Sequence, residues 1–174
     1  MACFISPLLY AAAAFRVPSA VAAAIARAPP AQLLSPALAD ERLAAVLLAG
    51  GSGSRMKADR PKQFLELLGK PVLQWDLELL LSMERLERIV LVIADEYRDL
   101  QFLQPFLSDP RLALALPGAE RQNSVENGLA AVGDACTLVA IHDAARPLVT
   151  IDAIERCFAD AAQHGAAVLA VPCK

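Results

Sequence analysis

A glycine-rich turn is followed at once by positive charge between residues 49 and 62. Gly50, Gly51 and Gly53 come directly after an apolar run of strand length, and Arg55 and Lys62 follow them. Glycines allow backbone N–H groups to approach a phosphate closely, and the cations neutralise the charge that those groups orient. Two cations just beyond such a turn could straddle a triphosphate during group transfer. The stretch therefore predicts a nucleotide-triphosphate site.

Two other kinds of glycine-rich turn do not fit this sequence. A dinucleotide-binding turn reads GxGxxG or GxGxxA, whereas Met56 stands at its last position here. A Walker loop needs GxxxxGK followed by Ser or Thr, and this stretch has no such pattern. An ordinary strand-helix turn would also contain glycines, so the pairing of Arg55 with Lys62 is what favours a nucleotide site.

Two further polar stretches follow later apolar runs. In the first, ERQNS, the short hydroxyl side chain of Ser124 and the backbone near Gly118 could hydrogen-bond to the edge of a nucleotide base. The alternative is that these residues are only the polar first turn of a helix. In the second, HDAARP, Asp143 could hold Mg²⁺ together with phosphates, and Arg146 could grip a second phosphate. A plain Asp-Arg pair closing a surface turn is the alternative. We interpret the neighbouring His142 as a buried structural histidine.

Alternating strands and helices must position these stretches. Near-continuous apolar runs predict buried parallel strands, and amphipathic stretches between them predict helices. Strand-helix alternation predicts an α/β fold of three layers with a mostly parallel sheet, whose ligands lie beyond the carboxyl ends of the strands. The predicted strands are 43–49, 89–94, 112–116, 138–141 and 166–171, and the predicted helices are 71–83, 96–107, 120–132 and 151–164.

The first 39 residues differ in composition from the rest. All 19 acidic residues lie beyond residue 39, whereas Arg16 and Arg27 are the only charged residues before it. An alanine-rich, acid-free segment is typical of an organelle-targeting peptide, and its apolar part is too short to favour a membrane span. We therefore predict a leader, disordered or cleaved, over 1–39 and a nucleotide-binding domain over 40–174. A mispredicted start or a bacterial extension, with a cytoplasmic protein, is the alternative.

Charge and cysteine spacing exclude several function classes. The part beyond residue 39 is mildly acidic, which argues against a nucleic-acid partner. The four cysteines form no CxxC pair, so neither a zinc site nor a disulfide framework is predicted.

The motifs together carry a family resemblance. LAGGSGSRM with RPKQF, then PGAERQNSVENGL, then IHDAARPLVT resemble in order and spacing the 2-C-methyl-D-erythritol 4-phosphate cytidylyltransferases of the non-mevalonate isoprenoid pathway, especially plastid forms of plant type. The resemblance implies a Rossmann-like nucleotidyltransferase fold of the glycosyltransferase-A type. It also implies transfer of CMP from CTP to methylerythritol phosphate with release of pyrophosphate, a divalent cation such as Mg²⁺, a homodimer and a plastid location.

Roles for individual residues follow from the same resemblance. Residues matching Arg55 and Lys62 stabilise charge during attack on the α-phosphorus, and the one matching Arg146 contacts the acceptor. This chain has Ala119 where family members often carry Asp. The nucleotide-binding positions implied are Ala49, Gly50, Gly51, Gly53, Gly118, Ala119, Ser124, Asp143 and Ala144, and Asp143 is also the implied metal ligand.

The end of the sequence departs from the family pattern. The family continues past a VPxxDT segment, whereas this chain stops at VPCK, so we expect an incomplete gene product that keeps the nucleotide-binding half. A cytidylyltransferase for a pentitol phosphate such as ribitol 5-phosphate is the nearest alternative, because it shares the glycine turn and an HD-x-x-RP pattern. A truncated CTP-binding chain without activity is the other.

Overall fold

The computed structural model describes residues 12–16, 38–51 and 60–171. Eight strands and three α-helices are defined in these ranges. The strands are β1 (Ala12–Arg16), β2 (Leu43–Leu48), β3 (Glu66–Leu67), β4 (Lys70–Pro71), β5 (Leu86–Val92), β6 (Leu112–Ala115), β7 (Leu138–Asp143) and β8 (Ala166–Val168). The helices are α1 (Val72–Ser82), α2 (Arg121–Val132) and α3 (Ile151–His164).

Six strands form one sheet in the order β6-β5-β2-β7-β1-β8, and β3 pairs with β4 in a small separate hairpin. The neighbours β6, β5, β2 and β7 are parallel, as the apolar runs predict. β1 pairs antiparallel with both β7 and β8. The prediction of an α/β fold with a mostly parallel sheet is confirmed.

Helices cover both faces of the sheet, which gives the three predicted layers. Side chains on β2 alternate between the faces: Leu43, Ala45 and Leu47 pack in a core with residues of α1 and α3. Ala44 and Val46 point to the opposite face and join the second core, which includes residues of α2. Burial on both faces explains why the strand reads as a continuous apolar run in the sequence.

Local signals set the ends of the helices. α2 begins with a capping box, in which the side chains of Glu120 and Asn123 each accept a hydrogen bond from the other residue's backbone. The hydroxyl of Thr150 caps α3, and Gly165 ends it in the left-handed conformation at φ 88°. The predictions of helices near 71–83, 120–132 and 151–164 are therefore confirmed.

The predicted helix over 96–107 is wrong. Two short 3-10 turns, Asp95–Tyr97 and Gln101–Leu103, occupy this stretch, and Leu100 between them is extended. Pro105 lacks the N–H that an α-helix would need there. Tyr97, Leu103 and their neighbours at the same three-residue spacing pack toward the core, which suits 3-10 geometry better than an α-helix.

Strand β1 lies inside the segment predicted as a leader. Its five residues pair with β7 from Ala12 opposite His142 to Arg16 opposite Leu138. The rest of the predicted leader, residues 1–11 and 17–37, and the predicted leader cleavage lie outside the described residues, so the leader stays a prediction. Across the described parts of the chain, no helix is long and apolar enough to cross a membrane.

Candidate functional site

The three polar stretches meet at the carboxyl ends of the parallel strands. Leu48, the last residue of β2, lies opposite Asp143, the last residue of β7. Just beyond them, the N–H of Ala144 donates to the carbonyl of Leu48 at 3.0 Å, and the N–H of Ala49 donates to Val92 of β5 at 2.8 Å. The predicted edge of the sheet is therefore where these residues lie.

The glycine turn packs directly against the segment that leads into α2. Ala49 is buried, whereas Gly50 and Gly51 are exposed. A Cβ on Gly50 would lie 2.3 Å from the Cβ of Pro117, so only glycine fits at this approach. Gly53 and Arg55, both predicted site residues, lie outside the described residues.

Gln63 fastens the glycine turn to the following segment. Its side-chain Nε2 donates to the carbonyl of Ala49 at 2.6 Å and to that of Gly51 at 3.0 Å. Gln63 is 3 % exposed, and its bond to Ala49 is buried, whereas its bond to the exposed Gly51 is partly buried. Sequence analysis missed this residue, although it stands inside the RPKQF motif.

Lys62 precedes Gln63 in the 3-10 turn Lys62–Phe64 and is exposed. Phe64 anchors this turn, because it is 5 % exposed and its ring lies 4.5 Å from that of Tyr97. Within the described ranges, no salt bridge engages the Lys62 ammonium group. The predicted cation thus stands next to the residue whose side chain bonds to the glycine turn.

The segment from Pro117 to Ser124 is held tightly at the start of α2. The hydroxyl of Ser124 accepts a hydrogen bond from the N–H of Gly118 at 3.0 Å and donates to the carbonyl of Glu120 at 3.2 Å. A Cβ on Gly118 would lie 2.2 Å from the Cβ of Asn123, so glycine is required for this close approach. Ala119 is exposed beside them. The predicted base-recognition residues therefore form one compact turn, in which the Ser124 hydroxyl already has two partners.

Two arginines bracket the carboxylate of Asp143. Oδ1 accepts from Nε and Nη2 of Arg121 at 3.1 and 2.9 Å. Oδ2 accepts from Nε of Arg146 at 3.1 Å, which is the Asp-Arg pair that sequence analysis left open. Arg121 is the more exposed partner, with 64 % of its side chain accessible against 22 % for Arg146. Arg121 was not predicted as a site residue, since nothing local links it to a carboxylate 22 positions away.

His142 is buried beneath this site and makes a polar contact with helix α1. Its Nε2 lies 3.1 Å from Oδ1 of Asp76, and both side chains are almost fully buried. The interpretation of His142 as a buried structural residue is confirmed. Burial raises the pKa of the Asp76 carboxyl, and the hydrogen bond from His142 opposes that shift. The second carboxylate oxygen of Asp76 has no hydrogen-bond partner among the described residues.

Comparison with known proteins identifies the family. The family model described as 2-C-methyl-D-erythritol 4-phosphate cytidylyltransferase (IspD) matches residues 43–174. The chain belongs to this cytidylyltransferase family. The match takes in every predicted site residue and excludes the segment predicted as a leader.

Named relatives of this cytidylyltransferase-family chain come from a plant and from bacteria. It is 39 % identical over 140 residues to the protein named 2-C-methyl-D-erythritol 4-phosphate cytidylyltransferase, chloroplastic, of Oryza sativa subsp. japonica, covering 79 % of this chain and 46 % of the rice protein. It is 42 % identical over 134 residues to the protein of the same enzyme name in Photobacterium profundum, covering 76 % of this chain and 56 % of the relative. The chain thus spans about half the length of these relatives.

A solved structure supports the family fold. The crystal structure of 4-diphosphocytidyl-2C-methyl-D-erythritol synthase from Anaerococcus prevotii DSM 20548 resembles this chain with a TM-score of 0.62. The identity is 23 %, and the match covers 75 % of this chain and 55 % of the other. At this identity the likeness establishes the Rossmann-like α/β fold.

Asp143 is the residue of this family member that was predicted to hold a metal. No group of three or more His, Cys, Asp or Glu side chains that could hold a metal occurs in the described ranges. Mg²⁺ commonly takes one or two carboxylates and completes its shell with water and substrate phosphates. In this structure both oxygens of the Asp143 carboxylate accept hydrogen bonds from arginines.

Proposed function

We propose that this chain binds CTP and transfers CMP from it to 2-C-methyl-D-erythritol 4-phosphate, releasing pyrophosphate. The contact between Gly50 and Pro117 carries the proposal, because it joins the predicted phosphate turn to the predicted base-recognition turn. A single nucleotide could then reach both turns. Membership of the family supports the choice of CTP and of the acceptor.

Each part of the nucleotide has a proposed set of partners at this edge of the sheet. The phosphates lie on the glycine turn, the cytosine lies against the turn before α2, and the ribose lies at the end of β7. The proposed residues are Ala49, Gly50, Gly51 and Gly53 for the phosphates, Gly118, Ala119 and Ser124 for the base, and Asp143 and Ala144 for the ribose.

The proposed chemistry is an in-line displacement. A phosphate oxygen of the acceptor attacks the α-phosphorus of CTP, a new P–O bond forms, and the bond to pyrophosphate breaks with its electron pair leaving on pyrophosphate. Arg55 and Lys62 stabilise the charge that develops, and Arg146 holds the acceptor phosphate. Positioning and charge stabilisation suffice, so the mechanism needs no covalent intermediate on the protein.

Asp143 is the proposed protein ligand of Mg²⁺, which would neutralise phosphate charge when bound. Its carboxylate already accepts two hydrogen bonds from Arg121 and one from Arg146, so a metal ion would compete with these arginines for the carboxylate. Arg121 is the more exposed of the two and is the partner that we expect to move.

Pyrophosphate release from CTP tests the function. We expect the chain to release pyrophosphate with methylerythritol phosphate and Mg²⁺, and we expect Lys62→Ala to lower the rate about 100-fold or more, as loss of a transition-state charge partner does. Lys70→Ala is the matched control, because Lys70 pairs with Glu78 at 2.8 Å on the small hairpin and α1. Normal turnover by Lys62→Ala would refute the assignment of Lys62.

The same assay separates the alternatives. Release of pyrophosphate only with ribitol 5-phosphate would favour the pentitol phosphate enzyme. Binding of CTP without release would favour a binding chain without activity, the second candidate, since this chain spans about half of its relatives. Absence of CTP binding by calorimetry would overturn the proposed function.

Location and assembly are further parts of the proposal. The acid-free first 39 residues and the plant relative named chloroplastic support import into a plastid. A reporter fused after residue 39 should enter plastids, and a reporter that stays in the cytoplasm would contradict this. A homodimer is proposed from the family alone, and light scattering of the purified protein would test it.

A further inference from the structure

Gln63 connects two parts of the site that the chain itself separates. Residues 52–59, outside the described residues, lie between the glycine turn and the turn that carries Lys62. The side chain of Gln63 spans this separation directly, because its Nε2 reaches the carbonyls of both Ala49 and Gly51. A primary amide has two N–H hydrogens, and the two bonds use both of them.

The two hydrogen bonds fix how the turn faces the site. In a planar trans peptide the carbonyl of one residue and the N–H of the next point in opposite directions. With the carbonyl of Ala49 held toward Gln63, the N–H of Gly50 is directed away from it. Gln63 therefore orients a backbone donor of the proposed phosphate-binding turn without contacting the phosphate.

The 3-10 turn that carries Gln63 is itself held by backbone hydrogen bonds and by packing of Phe64. The N–H of Phe64 donates to Pro61 at 2.9 Å and that of Leu65 to Lys62 at 3.2 Å. The ring of Phe64 is buried against Tyr97. Gln63 thus attaches the glycine turn to a well-held 3-10 turn. The exposed Lys62 lies in that same 3-10 turn.

We propose that Gln63 is a positioning residue, which holds the turn Ala49 to Gly51 and the 3-10 turn that carries Lys62 in one arrangement before the nucleotide binds. The inference rests on the proposed function and adds to it a residue that acts through others. Other side chains of similar shape would not replace it. Glutamate has no N–H, and methionine has neither donor.

Gln63→Met and Gln63→Glu test the inference in the full chain. Backbone hydrogen exchange reports the clamp without any nucleotide, and we expect the buried Ala49 amide, which donates to Val92 at 2.8 Å, to exchange about 10-fold faster or more in Gln63→Met. CTP affinity should fall about 10-fold as well. Gln74→Met is the matched control, because the side chain of Gln74 donates to Glu78 within its own helix α1, and it should behave as wild type in both measurements.

A pH profile separates positioning from simple loss of stability. In Gln63→Glu the protonated carboxyl can donate one hydrogen bond and the ionised form none, so CTP affinity measured on folded protein should partly recover as the pH falls. Unfolding curves at each pH give the folded fraction by which the affinity is corrected. A Gln63→Met protein that binds CTP as wild type does, with unchanged exchange at Ala49, would overturn the inference.

Failure of the proposed function would look different. If wild-type protein binds no CTP, the proposed function is wrong, and with it the role of Gln63 toward a nucleotide. If wild type binds CTP and the Gln63 variants equal it, the function stands and the inference fails.

Discussion

Strand β7 divides the sheet into two sides that are built differently. On one side, which we call the parallel side, β7, β2, β5 and β6 run parallel. On the other, the mixed side, β1 and β8 continue the sheet in antiparallel pairs. The four strands of the parallel side follow one another along the chain and are joined by α1, by two 3-10 turns and by α2, whereas β1 comes from the distant start of the chain.

The two sides also differ in chemistry. Residues 43–47 of β2 and 89–92 of β5 are buried, whereas the outermost strands of the two sides, β6 and β8, are largely half-buried and Val168 is 45 % exposed. Each described site residue lies at or just after the end of a strand of the parallel side, or in a segment that connects two of these strands. The comparison indicates that the parallel side positions the proposed nucleotide site. The mixed side pairs with the other edge of β7 through β1.

Core truncation on the two sides should give the largest difference. Leu47→Ala removes a side chain that is 0 % exposed on β2 and should lower the free energy of unfolding by about 2–5 kcal/mol. Val168→Ala on β8 should change it by less than about 0.5 kcal/mol. Urea unfolding of both variants measures this. Equal losses would remove the distinction between the sides.

A proline in β1 should have the next largest effect, confined to the mixed side. Ala14 lies opposite Ala140 of β7 and Ala167 of β8. Ala14→Pro removes a ladder N–H and leaves a backbone carbonyl without its partner, at a cost of about 1–3 kcal/mol.

Hydrogen exchange locates that loss. Amides of β7 and β8 should exchange about 10-fold faster or more in Ala14→Pro, while those of β5 stay protected. Ala14→Ser keeps the backbone N–H and is the control. Unchanged exchange in β8 would mean that β1 does not complete the sheet, which is also what a dispensable leader predicts.

The smallest expected effect concerns Asp76 of α1, which contacts His142 on β7, the strand shared by both sides. Because burial raises the pKa of Asp76 in the folded state, the folded protein binds this proton more tightly than the unfolded chain does. Stability contributed by this group is therefore lost as the pH rises from the ordinary range of an aspartate through the raised pKa.

Asp76→Asn should remove that dependence. Its free energy of unfolding, measured in urea between pH 4 and pH 7, should improve relative to wild type as the pH rises. Asp152→Asn, at the exposed Asp152–Arg156 pair of α3, controls for loss of a carboxylate. Parallel curves for wild type and Asp76→Asn would contradict the prediction.

Strands and most helices were predictable because their signals are local. An apolar run such as the one from Leu43 predicts a strand buried on both faces, and the Gly165 that ends α3 is visible as a residue type. The helix predicted over 96–107 fails for a reason that is also local, since Pro105 and the three-residue apolar spacing were there to be read. The strand β1 has no local signal of this kind. It forms because β7 and β8 both offer it an edge to pair with, and that arrangement exists only in the folded protein.

By itself, the sequence determined the order of the parallel strands and of the three α-helices, the edge of the sheet where the motifs gather, and the family. The tertiary structure alone decided which side chains hold that edge together. Gln63 bonds to residues up to 14 positions away, and Arg121 reaches Asp143 across 22. Periodicity and capping rules describe neighbours within a few residues, whereas these contacts exist only once the strands have brought their carboxyl ends side by side.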